Sequence, residues 1–339
     1  MYPLFLSVRF IWRHLLMTLI GSFFVGASLV VLIVVMSVMD GFQAKLRETF
    51  IGSSADVRVM PRFDADLERL DQALRRRLGQ RVVATGPHYQ TISLCRREGF
   101  VDPSISDEFQ VAHVFGVDGR REQRVNLFGT YLHQGPDRTP EMLTVKDLAA
   151  PFRVHDADQA ADGRIGVILG RGLARELHVG PGQRVKLFSL VARESSATGG
   201  GGERLEDYEL RQELFLVVGI YESGNSEIDR NSVFMDHEEF KGFFDTATAR
   251  KSVRMKLADA DDGARHVAGV VSDDWWALVN ESLPDGRPPP AWLDPATGRG
   301  GYAFRVDPWY AEHLTMVRAI EGEEAMMRVI ASRSVSACA

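Results

Sequence analysis

Cysteine is scarce: only Cys95 and Cys338 occur in 339 residues, and they lie far apart. Such a pair offers no disulfide framework and leaves the redox compartment open. The chain also lacks a G-x-S-x-G elbow and a G-x-x-x-x-G-K-[ST] phosphate loop, which removes two common enzymatic signatures. Gly170-Arg171-Gly172 is missing the third glycine of a dinucleotide turn and reads as a strand-to-helix connection. His237-Glu238-Glu239 supplies one histidine where a zinc helix needs two, one turn apart. Asp156, Asp158, Asp162 and Gly163 miss the spacing of a calcium loop and read as a solvated acidic loop. No catalytic residue, metal site or cofactor is called for. The chain does not read as an enzyme.

Charge is missing in one place above all. Leu15 to Met39 holds no Asp, Glu, Lys or Arg, and a helix needs about 20 apolar residues to cross about 30 Å of hydrocarbon. The run is too long for a signal peptide, whose apolar region covers roughly 7–15 residues. A buried core helix, too, rarely stays apolar on every face for so many residues. A single transmembrane helix over 15–39 is therefore expected, preceded by an interfacial segment over 1–14 in which aromatic residues alternate with Arg9 and Arg13. Lys45 and Arg47 follow closely, so basic residues nearly tie across the span and charge alone leaves the orientation open.

Ser22 and Gly26, four residues apart, would let a neighbouring helix pack closely. Helical spacing continues past the run as a stalk over 40–55, placing Val35, Met39, Phe42 and Leu46 on one apolar stripe. That stripe suits either packing on the protein itself or a groove shared with another subunit.

Past Met39 the chain is acidic by about eight charges, which argues against a nucleic-acid surface. Asp56 to Pro61 alternates as a strand, Asp64 to Leu78 carries leucines at helical spacing, and Arg81 to Thr85 reads as a second strand. Strand, helix, strand opens an α+β layer. Several strands follow over 88–135, with a short helix near Glu122 to Leu127. Residues 165–190 read strand, helix, turn, strand, with Gly180-Pro181-Gly182 as the turn. Glu213 to Gly224, Asn231 to Asp236 and Arg250 to Asp259 read as further strands. His237 to Phe244, Asp261 to Val271 and 308–330 read as helices.

Several segments taken together resemble a known family: LVVLIVVMSVMDGFQAKLRETFIGSSADVRV, VVATGPHY, ILGRGLARELHVGPGQRVKLFS and LFLVVGIYESGNSEIDRNSVFM. In this order they are similar to the membrane subunits of lipoprotein-releasing ABC transporters, within the wider permease family shared with macrolide-exporter and cell-division types. The run SVMDGFQAKLRE is the most specific piece. The resemblance implies an α+β fold: one N-terminal span, then an extracytoplasmic MacB-like periplasmic core domain over 56–320. That domain would consist of a porter-like βαβ half (50–87 and 250–312) and an inserted, mostly β half (88–249).

It further implies a bacterial inner-membrane location with a cytoplasmic N-terminus. The implied partners are a separate ABC ATPase, a second permease subunit as homo- or heterodimer, lipoprotein cargo, membrane lipid and a periplasmic carrier, with no nucleic acid. The stripe Val35, Met39, Phe42 and Leu46 would then receive acyl chains, which bind by apolar burial at about 0.8 kcal/mol per CH₂. Alternatives are a related permease with another substrate and a membrane-anchored scaffold without transport.

The sequence departs from the family in two ways. The family has three further spans, whereas residues 321–339 read as the approach to a missing second span, as in a truncated, frame-shifted or split subunit. The loop from Ser189 to Gln212, where these subunits receive their carrier, is glycine-rich and charged rather than proline-bearing.

Overall fold

The computed structural model describes residues 15, 17, 19–31, 33–39, 41, 54–99, 109–132, 150–154, 163–192, 208–290, 292–293 and 303–311. Two compact units result: Met1–Glu48 with Leu314–Ala339, and Thr49–His313. Within the first unit, helix α1 (Leu19–Met39) is long and apolar enough to cross a membrane. At about 1.5 Å per residue it is roughly 30 Å long. Its described side chains are exposed or partly so.

The second unit contains a nine-stranded sheet. Along the chain run β1 (Val57–Pro61), α2 (Leu67–Leu78), β2 (Val82–Arg97), β3 (Gln110–Val117), α3 (Gly119–Val125) and α4 (Phe128–Tyr131). Then come β4 (Gly166–Gly170), α5 (Arg171–Glu176), β5 (Arg184–Ala192), β6 (Tyr208–Tyr221), α6 (Ser226–Asn231) and β7 (Ser232–Asp236). The last are α7 (His237–Phe243), β8 (Arg250–Leu257), α8 (Ala260–Asp273), α9 (Trp275–Ser282) and β9 (Phe304–Pro308).

Four strands in the order β2-β8-β1-β9 are antiparallel throughout. With α2 after β1 and α8 and α9 after β8, this is the split βαβ arrangement of ferredoxin-like sheets. Helix α2 forms because Asp66 caps it, accepting from the Glu68 and Arg69 amides at 2.9 and 3.2 Å. Gly79, at φ 58°, ends it. Its leucines at 67, 70, 74 and 78 are buried with Val57 and Val59 of β1 in the main core. The chain enters and leaves this sheet side by side: Val57 pairs with Pro308, and the Trp309 amide donates to the Asp56 carbonyl at 2.9 Å.

The remaining strands close on themselves. β2 pairs with β3, β3 with β7, β7 with β4, β4 with β6, β6 with β5, and β5 returns to β2. Period-two alternation turns Cys95, Val114, Leu169, Leu187, Phe215 and Met235 into this six-stranded ring, all at 0% exposure. β2 belongs to both groups and is one continuous strand through each.

Several elements differ from the sequence expectation. The second strand extends from Val82 to Arg97 rather than stopping at Thr85. Pro87 does not end it, because β3 begins to pair only at His88 and no ladder bond is lost on that edge. The helices α4, α6 and α9 and the strand β9 were not anticipated. Of the helix expected over 308–330, Pro308 instead ends β9, paired with Val57, and Trp309–Ala311 form a 3₁₀ turn. The rest of the expected 308–330 helix lies outside the described residues.

Candidate functional site

The apolar stripe is only partly open to description. Val35 is 52% exposed on α1, and Met39 lies one turn further on, partly covered. Phe42 and Leu46 lie outside the described residues, as does the stalk over 42–53. Ser22 is exposed, and a Cβ built on Gly26 meets nothing within 4 Å among the described residues.

A second surface was missed by the sequence reading. On the outer face of the ring, Leu94 of β2 sits opposite Val111 of β3 on one side and Phe188 of β5 on the other. Ile92 lies two residues back on the same face, and Leu190 of β5 pairs with Leu210 of β6. Ile92, Leu190 and Leu210 are 65%, 58% and 60% exposed. Phe109 packs edge-on against Phe188 with centroids 5.3 Å apart, and the Arg96 guanidinium lies 5.3 Å above the Phe109 ring. Among the described residues this is an exposed apolar sheet face, flanked by Val111 at 54% and Leu94 at 42% exposure. It extends onto the ends of β5 and β6 that fall within the 189–212 segment; residues 193–207 lie outside the described residues. The signal that could have found it is alternation itself: in β2 both alternating faces, Ile92 and Leu94 as well as Cys95, are apolar.

The two strand groups are joined by a buried polar cluster. Arg121 of α3 donates to both carboxylate oxygens of Glu68 on α2 at 2.8 Å, and to the carboxylate of Asp71. Its Nε donates to the Thr85 carbonyl at 3.2 Å. Asp71, 2% exposed, also accepts from Thr85 Oγ1 and from Arg75 Nε. The next residue, Glu122, accepts from Arg254 of β8 at 2.9 Å. Charges buried this deeply persist only when paired from several sides.

His88 is buried beside this cluster, and burial, with Arg254 and Arg58 nearby, holds its pKa well below the ordinary histidine value. Cys95 points into the ring as a free thiol, pushed up to about 12 by burial, and is inert at neutral pH. His237 lies between Asp236 and Glu238, with Nε2 3.1 Å from the latter. No group of His, Cys, Asp and Glu suited to a metal ion occurs among the described residues.

Gly170 and Gly172 serve packing. A Cβ on Gly170 would stand 2.3 Å from the Asp229 carbonyl oxygen, and one on Gly172 would stand 2.7 Å from Arg230 Cα. The strand-to-helix connection between β4 and α5 thus lets α6 approach closely.

Comparison with known proteins adds a family. The MacB-like periplasmic core domain family matches residues 23–271. The chain is 23% identical over 325 residues to the lipoprotein-releasing system transmembrane protein LolC of Neisseria meningitidis serogroup B, covering 95% of this chain and 63% of that protein. It is 25% identical to LolC of Xylella fastidiosa strain Temecula1, over 74% of this chain and 50% of the relative. The chain thus spans between half and two thirds of the length of these curated relatives. A crystal structure of the periplasmic region of MacB from Actinobacillus actinomycetemcomitans aligns with 79% of this chain and 95% of that one, at 10% identity and a TM-score of 0.38.

Proposed function

The chain belongs to the MacB-like periplasmic core domain family, and from that premise we propose that it is a membrane subunit of an ABC transporter that releases lipoproteins from the bacterial inner membrane. The observation that supports this most is where the match lies: it begins inside α1 and runs on through the folded unit to residue 271. An apolar helix and a MacB-like domain are thus parts of one family unit. The LolC relatives supply the cargo class for the proposal.

In this reading α1 crosses the inner membrane with its N-terminus in the cytoplasm, and residues 56–320 stand outside. Residues 50–87 and 250–312 act as the porter half, and residues 88–249 as its insert. A separate ATPase hydrolyses ATP, and its closure reaches the outer domain as a rigid-body movement. The Arg121–Glu68–Asp71 cluster suits that role, because it ties α3 of the insert to α2 of the porter half. A second permease subunit packs at Ser22 and Gly26. Acyl chains lie on Val35, Met39, Phe42 and Leu46, where methionine adapts to cargo of varied shape. The apolar sheet face around Ile92, Leu94, Leu190 and Leu210 receives the carrier, taking the place of a proline-bearing hairpin.

The test is reconstitution. The full chain is purified in detergent with the ATPase and second permease of the same genome and placed in liposomes with an acylated lipoprotein. ATP-dependent transfer of the lipoprotein to a soluble carrier is expected. A chain that brings down no nucleotide-binding subunit and transfers nothing contradicts the proposal and favours a membrane-tethered scaffold.

A further inference from the structure

The chain is acidic overall, with a formal charge of −6, yet Arg58, Arg62, Arg250, Lys251 and Arg305 line one cavity of about 560 Å³. The alternation that turns Val57 and Val59 into the core turns Arg58 and Met60 to the opposite face of β1. There Asp307 of β9 lies across from Arg58, and Arg305 across from Met60. Arg250 opens β8 on the same face as Arg254, which pairs with Arg58. The fold therefore gathers cations from three strands around one opening.

Two carboxylates share the space, and both are already engaged. Asp307 accepts from Arg305 Nε at 2.8 Å and stands 3.9 Å from Arg58. Asp64 is bridged by Lys251 and Arg287. The guanidinium groups of Arg62 and Arg250 have no partner among the described residues, and both are exposed at the cavity. An excess of roughly three positive charges faces the cavity, and charge gathered in a concave surface focuses potential on an anion.

We propose that this cavity binds a phosphate-bearing anion, with Arg62 and Arg250 as the forks that grip its oxygens. Guanidinium forks match phosphate bidentately, and an excess of this size favours a doubly charged phosphate over a single carboxylate. The volume exceeds that of a bare ion, and Met60 and Phe63 give it an apolar wall. The ligand is therefore a phosphate ester with an organic part, either a lipid headgroup or a soluble ester. This goes beyond the transport reading and stands or falls separately from it.

The full chain in detergent is titrated calorimetrically with pyrophosphate and with glycerol phosphate. Salt-sensitive binding is expected, weakened at least tenfold in Arg62→Ala/Arg250→Ala. Arg265→Ala, an exposed cation on α8 away from the cavity, should leave it unchanged. Native mass spectrometry of the same samples then identifies the source. Retention of phosphatidylglycerol over phosphatidylcholine, lost in the double variant, supports a lipid headgroup; anion binding without that preference supports a soluble ester. No binding of any probe, or binding that survives the double substitution undiminished, overturns the proposal.

Discussion

Arg121 on α3 grips both carboxylate oxygens of Glu68 on α2 at 2.8 Å, and in doing so also faces the buried Asp71. α3 follows a strand of the closed ring, while α2 packs on the ferredoxin-like strands. This one side chain therefore ties the two groups together. Arg121→Met removes the clamp and leaves Asp71 with Thr85 and Arg75 as its remaining partners. Breaking a buried pair by removing one partner costs about 3–5 kcal/mol, and the remaining Arg75 brings the expected loss to roughly 3 kcal/mol. Glu68→Gln, at a more exposed position, should cost about 1 kcal/mol. Denaturant unfolding of the purified chain reads both, and equal losses would contradict this division.

His88 makes stability depend on pH. Its folded pKa is depressed by burial and by Arg254 and Arg58, whereas the unfolded residue titrates near 6.5. Below pH 6.5 the unfolded chain therefore binds a proton that the native chain refuses. Stability should fall as the pH drops from 6.5 toward 5, with a slope of at most about 1.4 kcal/mol per pH unit from this group. His88→Gln should flatten that part of the profile. Its measurement is a series of denaturation curves between pH 5 and 7.5, and an unchanged slope in the variant would contradict the assignment.

The turn between β4 and α5 allows no side chain at Gly170. A methyl group there meets the Asp229 carbonyl oxygen at 2.3 Å, so backbone must move. Gly170→Ala should destabilise the domain by about 1–3 kcal/mol, as other overpacked sites do. Gly242→Ala, with nothing within 4 Å of the added atom, is the matched control and should be no less stable than the native chain. Thermal denaturation distinguishes the two.

Much of the ferredoxin-like part was legible in the sequence, because its signals are local. The leucines of α2 repeat at helical spacing, although the helix begins at Leu67, after its Asp66 cap, rather than at Asp64. What lay outside local signals was less legible. β2 could not be followed past Pro87 from sequence, since its continuation depends on where β3 begins to pair. β9 is short, and only pairing with β1 shows that 304–308 is extended. Of the stripe on α1, the run without charge was plain. The apolar sheet face escaped because Ile92, Val111, Leu190 and Leu210 come together only when the ring closes.

That sheet face makes its own prediction. Leu190→Ser/Leu210→Ser removes an exposed cross-strand pair, so folding stability should change by no more than about 0.5–1 kcal/mol. Transfer of lipoprotein to a carrier should nevertheless drop at least tenfold, with ATP hydrolysis by the assembled transporter retained. Unfolding curves and the transfer assay check the two halves. Normal transfer by the double variant would remove this face from the proposed carrier site.

The central claim, that α1 bears acylated cargo on one side, is tested most directly by photocrosslinking in membranes. A photoreactive residue is placed in turn at Val35, at Met39 and, as the control on the opposite side of the helix, at Ile33, and fatty-acylated proteins are labelled metabolically. The account predicts crosslinks to acylated lipoproteins from Val35 and Met39 and few from Ile33. Equal yields from all three positions, or crosslinks to neighbouring helices and phospholipid alone, would contradict it.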